Sequence, residues 1–145
     1  MKFQDSERLR GIFELNLYRQ GVLIEHYREE NMIMNNAKDA LAKLIAGDGT
    51  GKTITKIGFG TNGNGPTPDD TSLTNPFIKQ LSSRSYPQTG QVTFNFTLAT
   101  TEANGMSIRE FGLICSDNTL FARKTRGAIE KSNDISLEGA WTIIF

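Results

Sequence analysis

Cysteine is almost absent from this chain of 145 residues: Cys115 stands alone. That excludes an internal disulfide and a cysteine-based zinc site, and it suits a reducing cytosol. Histidine occurs once, as His26, so a metal site built on several imidazoles is excluded too. Neither sign of charge is in excess, since Lys plus Arg and Asp plus Glu both number 16. Without a net field the chain has no bulk attraction for phosphates or anionic lipid, and neither nucleic acid nor a membrane is expected as a partner. No apolar run approaches the ~18 residues of a bilayer span. Met1 to Arg10 is polar and charged, with no apolar segment of a secretory leader. These absences lead to the expectation of a protein made soluble, as one domain over residues 1–145, long enough for a core and too short for two.

What is present is mostly strand patterning. Gly11 to Arg19 alternates with Phe13, Leu15 and Leu17 on one face, the period of a half-buried strand. Gln20-Gly21 then makes a turn and Val22 to Tyr27 returns. Asn31 is the expected N-cap of one amphipathic helix carrying Met32, Ile33, Ala37, Ala40, Leu41, Leu44 and Ile45 on its apolar side, with Gly47 as its stop. Thr53 to Phe59 reads as a strand, Gly60 to Pro76 as a long polar loop, and Gln91 to Leu98 as a strand with Val92, Phe94, Phe96 and Leu98 inward. A turn at Thr101 to Gly105 follows. Ser107 to Cys115 and Leu120 to Lys124 form a hairpin about Asp117-Asn118, both residue types that tolerate positive φ. Leu137 to Phe145 closes the pattern, with Trp141, Ile143 and Phe145 on one face. The expected fold is mainly β with a minor α part: an antiparallel β-sandwich or open barrel of about seven strands, one side covered by the helix.

Several strings resemble chemistry and have plainer readings. Ala46 to Thr53 fits a relaxed nucleotide-binding pattern ending in Gly51-Lys52-Thr53. That loop needs a strand before it and a helix after it, so that helix N-terminal amides face the phosphates. Here the order is reversed and the loop would face a helix C-terminus, whose partial charge repels phosphate; a connector is expected. His26 sits on a strand without neighbouring ligands in sequence, and reads as a surface or interface imidazole. Asp69-Asp70 reads as turn formation and solvation, there being no spaced calcium-loop pattern. Asn95-Phe96-Thr97 spells a glycosylation acceptor inside a strand. Glu110, in the apolar run Ile108 to Ile114 beside Gly112, needs a partner. Arg109, Arg123 or Arg126 would supply it, as an ion pair that locks the hairpin or as a contact across subunits. No catalytic residue, metal ligand or cofactor-binding residue is assigned, and the chain is not expected to be an enzyme.

Five strings, Ile57-Gly58-Phe59-Gly60-Thr61-Asn62-Gly63, Glu102-Ala103-Asn104-Gly105, Ile108-Arg109-Glu110-Phe111-Gly112-Leu113, Leu120-Phe121-Ala122-Arg123 and Ser136 to Ile143, follow one another in an order that resembles small structural proteins of tailed bacteriophages. With the opening strand pair and helix, the pattern is similar to the N-terminal attachment domains of phage tail-fibre proteins and to short proteins of the neck, collar or baseplate. The resemblance implies a virion component, assembled in the bacterial cytoplasm, that forms a homotrimer or ring and binds other virion proteins. The chain carries no collagen-like or heptad repeat from which a shaft could be made. The expectation is therefore a compact collar or neck spike or similar tail-associated appendage. A baseplate or tail-fibre adaptor is the alternative, as is a host-surface glycan or receptor-binding module stacking sugars on Tyr18, Tyr27, Tyr86 or Trp141. Specificity is expected from edge strands, with the first hairpin and the C-terminal strand as candidates and the loop from Gly60 to Pro76 as a subunit contact.

Overall fold

The structure, a computed structural model, describes residues 9–145. Among the described residues nine strands and one helix follow in the order β1 Arg10–Arg19, β2 Val22–Ile33, α1 Asn35–Ala46, β3 Ile54–Gly60, β4 Phe77–Gln80, β5 Ser83–Ser85, β6 Gln91–Leu98, β7 Ser107–Cys115, β8 Leu120–Glu130 and β9 Ile135–Ile144. The fold is mainly β with one helix, as the alternation in the sequence implies. All strand pairs are antiparallel, and the sheet order is β4-β3-β7-β8-β2-β1-β9-β6-β5.

This sheet curls until its two halves face each other as an open barrel. Phe13 of β1 meets Phe111 of β7 with ring centres 4.8 Å apart, and Phe59 of β3 meets Phe96 of β6 at 6.0 Å. Trp141 stands edge-on to Phe13 at 4.9 Å. All five rings are fully buried, and burying each contributes about 1.5–3 kcal/mol, with edge-to-face contacts adding about 0.5–1.5 kcal/mol. The strands β4 and β5, absent from the sequence expectation, join the two ends of the curl. Leu81 donates its amide to the Thr55 carbonyl on one half, and Ser82 donates to Asn95 on the other. At four and three residues they are too short to show a period; their strand character comes from the partners they lie against.

The helix begins later than expected. Met32 and Ile33 belong to β2, held by backbone pairing with Arg123 and Ala122 of β8. Asn31 is not a helix cap, because its side-chain oxygen accepts a 2.7 Å bond from the indole N–H of Trp141. The Asn35 amide at the helix start donates instead to the Pro68 carbonyl of the long loop. Gly47 ends the helix as expected, in the left-handed region at φ 85°, which a residue without Cβ enters at little cost. Ala37 and Ala40 are buried, whereas Ile45 is 87 % exposed, so the apolar face is narrower than the sequence pattern implies. Phe145, expected inward, is also largely exposed; the alternation has run past the core, and its amide bonds to Gly90. The C-terminal strand is not an edge either, since β9 pairs along its length with both β1 and β6. Among the described residues no helix is long and apolar enough to cross a membrane.

The first hairpin does carry a free edge. Its turn places Gln20 and Gly21 both at positive φ, the two-residue geometry that fits strand twist. On its other side β2 pairs with β8 only at Met32 and Ile33. Below that point side chains bridge the two strands: Lys124 to Glu29 at 2.7 Å, and Arg126 to Glu25 at 3.0 Å, with both cations lying over the Tyr27 ring.

Candidate functional site

Glu110 has a cation partner, and it is Arg123. The carboxylate is fully buried; Oε1 accepts from Arg123 Nε at 2.8 Å. Its Oε2 accepts from the amides of Asn62 at 2.9 Å and Thr74 at 2.8 Å, at the two ends of the long loop. Arg123 then spreads the rest of its fork, Nη1 to Asp70 at 2.9 Å and Nη2 to the Asn62 carbonyl at 3.0 Å. A planar guanidinium suits this divided geometry, and each bond is charge-assisted. A bulge between Ile108 and Glu110 shifts the register of β7 on β8, the kind of irregularity that re-aims a side chain. Arg126 is committed to Glu25.

The loop from Thr61 to Pro76 is thus fastened over the outer face of β3, β7 and β8. Leu73 makes the apolar half of that fastening. Gly58 and Gly112 stand opposite each other in register, and a Cβ on Gly58 would fall 2.6 Å from a Leu73 methyl, one on Gly112 3.0 Å from it. Glycines at both positions leave the hollow that the leucine fills. Asp69 and Asp70 take separate partners: Asp69 accepts from Asn35 Nδ2 at 2.8 Å, while Asp70 caps Thr67 and meets Arg123. The Thr67 amide, its hydroxyl and the guanidinium hold the Asp70 carboxyl below its ordinary range. These acids tie a turn to the barrel.

The remaining sequence lures are likewise engaged within the fold. Lys52 of the nucleotide-like string bonds to Asp117 at 2.8 Å and to the Thr119 hydroxyl at 3.1 Å, and the string lies between the C-terminus of α1 and the start of β3. Lys52 in turn holds the Asp117 carboxyl well below the carboxylate range, helped by Thr119. His26 does have an acid neighbour, supplied across the strand pair: Nε2 lies 3.4 Å from Glu14, and Nδ1 2.6 Å from the Asn16 side-chain oxygen. Among the described residues no group of three or more His, Cys, Asp or Glu converges on one point. Asn95 lies in β6 and donates to the Ser83 hydroxyl. Lys131, buried at 2 % exposure, is held by Asn104 Oδ1 and the carbonyls of Thr100 and Ser132; burial pushes its ammonium below the usual lysine range.

Of the aromatics considered for sugar stacking, Trp141 is fully buried and Tyr27 lies under two cations. Tyr86 is 71 % exposed, and it borders an apolar hollow.

That hollow is a cleft of about 530 Å³ at the helix end of the barrel, floored by Leu41, Leu44, Ile54, Val92, Ile143 and Phe145, with Arg84 and Tyr86 at its rim. At the far end of the first hairpin Val22, Leu23 and Ile24 are each at least half exposed. The sequence reading missed both features. The cleft gathers residues from separate elements and has no local signal. The tip does have one: three consecutive apolar residues break an alternating pattern and cannot all point inward.

Searches against protein-family models, curated proteins and solved structures return no match to this chain.

Proposed function

We propose that the chain is a non-catalytic structural component of a tailed-bacteriophage particle, a collar or neck spike or similar tail-associated appendage, which works by contact with copies of itself and with other virion proteins. One observation carries the non-catalytic part. The buried charged groups among the described residues are spent on the fold: Glu110 and Arg123 fasten a loop and Lys131 is held by carbonyl and amide oxygens, while Lys52 holds Asp117. A general acid or nucleophile must instead present a free atom to a substrate. The surface offers an apolar strand tip, an apolar cleft and an incompletely paired strand, which are features of protein contact. The particle itself is inferred from the five sequence strings that resemble phage neck, collar and tail proteins.

Immunogold labelling of intact particles, with the mass of the purified protein by light scattering, tests this reading. Label at one fixed position on the neck or tail is the expected result. Particles without the protein would overturn it.

A further inference from the structure

Nine large apolar side chains are substantially exposed among the described residues. Seven of them gather at the two ends of the barrel. Val22, Leu23 and Ile24 form a convex tip where β2 begins; Leu44, Tyr86 and Phe145 line the concave cleft beside α1, and Ile45 follows Leu44 on the exposed side of the helix. The strand β1 runs from one end to the other, Arg10 lying in register with Ile144 near the cleft and Arg19 with Val22 at the tip. Its ten residues span roughly 30 Å at about 3.4 Å per residue. The tip therefore cannot reach the cleft of its own molecule.

Each feature has beside it one charged side chain without an ion-pair partner among the described residues, and these two are of opposite sign. Leu23 stands opposite Tyr18 in the hairpin, and the Tyr18 hydroxyl donates to Glu138, an exposed carboxylate with no cation partner among the described residues. At the cleft, Lys52 is neutralised by Asp117, but Arg84 is exposed and has no carboxylate among the described residues. A lone anion beside the tip and a lone cation beside the cleft match when the tip of one copy enters the cleft of another, and such complementarity fixes orientation and partner. A tip-to-tip contact would instead bring two Glu138 carboxylates together.

We propose that copies of this chain associate head to tail, the Val22-Leu23-Ile24 tip of one seating in the Leu44–Tyr86 cleft of the next. Such a contact is heterologous: it joins two different patches, and it closes into a ring when the rotation between neighbours divides a full turn. The proposal rests on the self-associating role given above and names the surfaces that carry it.

Two exposed substitutions test it, Leu23→Asp in the tip and Tyr86→Asp at the cleft, each checked for an unchanged circular dichroism spectrum. Sedimentation should show the unaltered protein larger than a dimer, and each variant alone weakened in association by about tenfold or more, the loss expected when a charge replaces an apolar contact residue of the interface. The decisive sample is an equimolar mixture. The intact tip of the Tyr86→Asp protein can still enter the intact cleft of the Leu23→Asp protein, so the mixture should yield a one-to-one dimer and nothing larger. A mixture that stays monomeric, or variants that assemble like the parent, would overturn the head-to-tail contact. An unaltered protein that is monomeric in solution yet labels particles would also overturn it, while leaving the virion role standing. Arg84→Glu with Glu138→Arg serves as a second check: each alone should weaken association, and the double variant should recover it.

Discussion

Gly60 of β3 and Glu110 of β7 face each other in register, and the Glu110 carboxylate fills the space where any side chain on Gly60 would begin. The absence of a side chain on one strand is thus a condition for the buried ion pair on its neighbour. Removing Arg123 leaves a carboxylate buried without its cation, and Arg123→Met should cost about 3–5 kcal/mol. Adding Glu110→Leu should restore only part of this, because the Asn62 and Thr74 amides lose their acceptor, at about 1–3 kcal/mol each. Urea denaturation of the single and double variants measures both; full recovery in the double variant would show that the loop amides are not held by Glu110.

Leu73 holds the middle of the same loop in the hollow over Gly58 and Gly112. Leu73→Ala should destabilise the protein by about 1–3 kcal/mol and speed amide exchange at Asn62 and Thr74. Gly58→Ala should do the same by expelling the leucine. Exchange at those two amides unchanged in both variants would contradict a loop fastened through Leu73.

Acid should loosen the fold through particular carboxyls. Asp70, held low by the Thr67 amide and Arg123, and Asp117, held low by Lys52, have depressed values. For Glu102 burial acts upward, but Lys79 at 2.7 Å and the Ala99 amide outweigh it. A depressed acid stabilises the folded chain above its unfolded value of about 4, and that contribution is lost as pH falls through the folded value. The thermal midpoint should therefore hold steady from about pH 7 to 5 and drop below about pH 4. In Asp70→Asn the drop should be shallower; an identical profile would remove Asp70 from the acid response.

Cys115 is fully buried, and burial pushes its thiol up to about 11. A thiolate-directed reagent at about pH 8 should leave the folded protein untouched and consume the thiol once urea unfolds it. The sign at alkaline pH follows: the unfolded thiol ionises first, so stability should fall from roughly pH 9 up to the folded value of about 11. Rapid labelling of the native protein would show the β7 end opening far more easily than its packing implies.

Much of the fold is legible in the sequence where one face is buried and the other is wet. Phe13, Leu15 and Leu17, or Phe94, Phe96 and Leu98, give the strands a clean period, and all six are buried. Legibility fails where an element borrows its structure from a distant partner. Residues 77–80 and 83–85 become strand because β3 and β6 pair with them, and Met32 and Ile33 are drawn from the helix pattern into β2 by β8. The need of Glu110 for a cation was readable from its apolar surroundings. The choice of Arg123 over Arg109 or Arg126 was not, since it depends on the strand register and its bulge.

The pairing of β9 with both β1 and β6 also governs when the molecule can fold. Strands from opposite ends of the sequence lie side by side, and without β9 the edges of β1 and β6 that it joins are unpaired. Loop closure over nearly the whole chain must precede the contacts that reward it, which places the protein among slow, high-contact-order folders. During synthesis the facing edges of β1 and β6 wait open until residues 135–144 emerge to fill the gap between them.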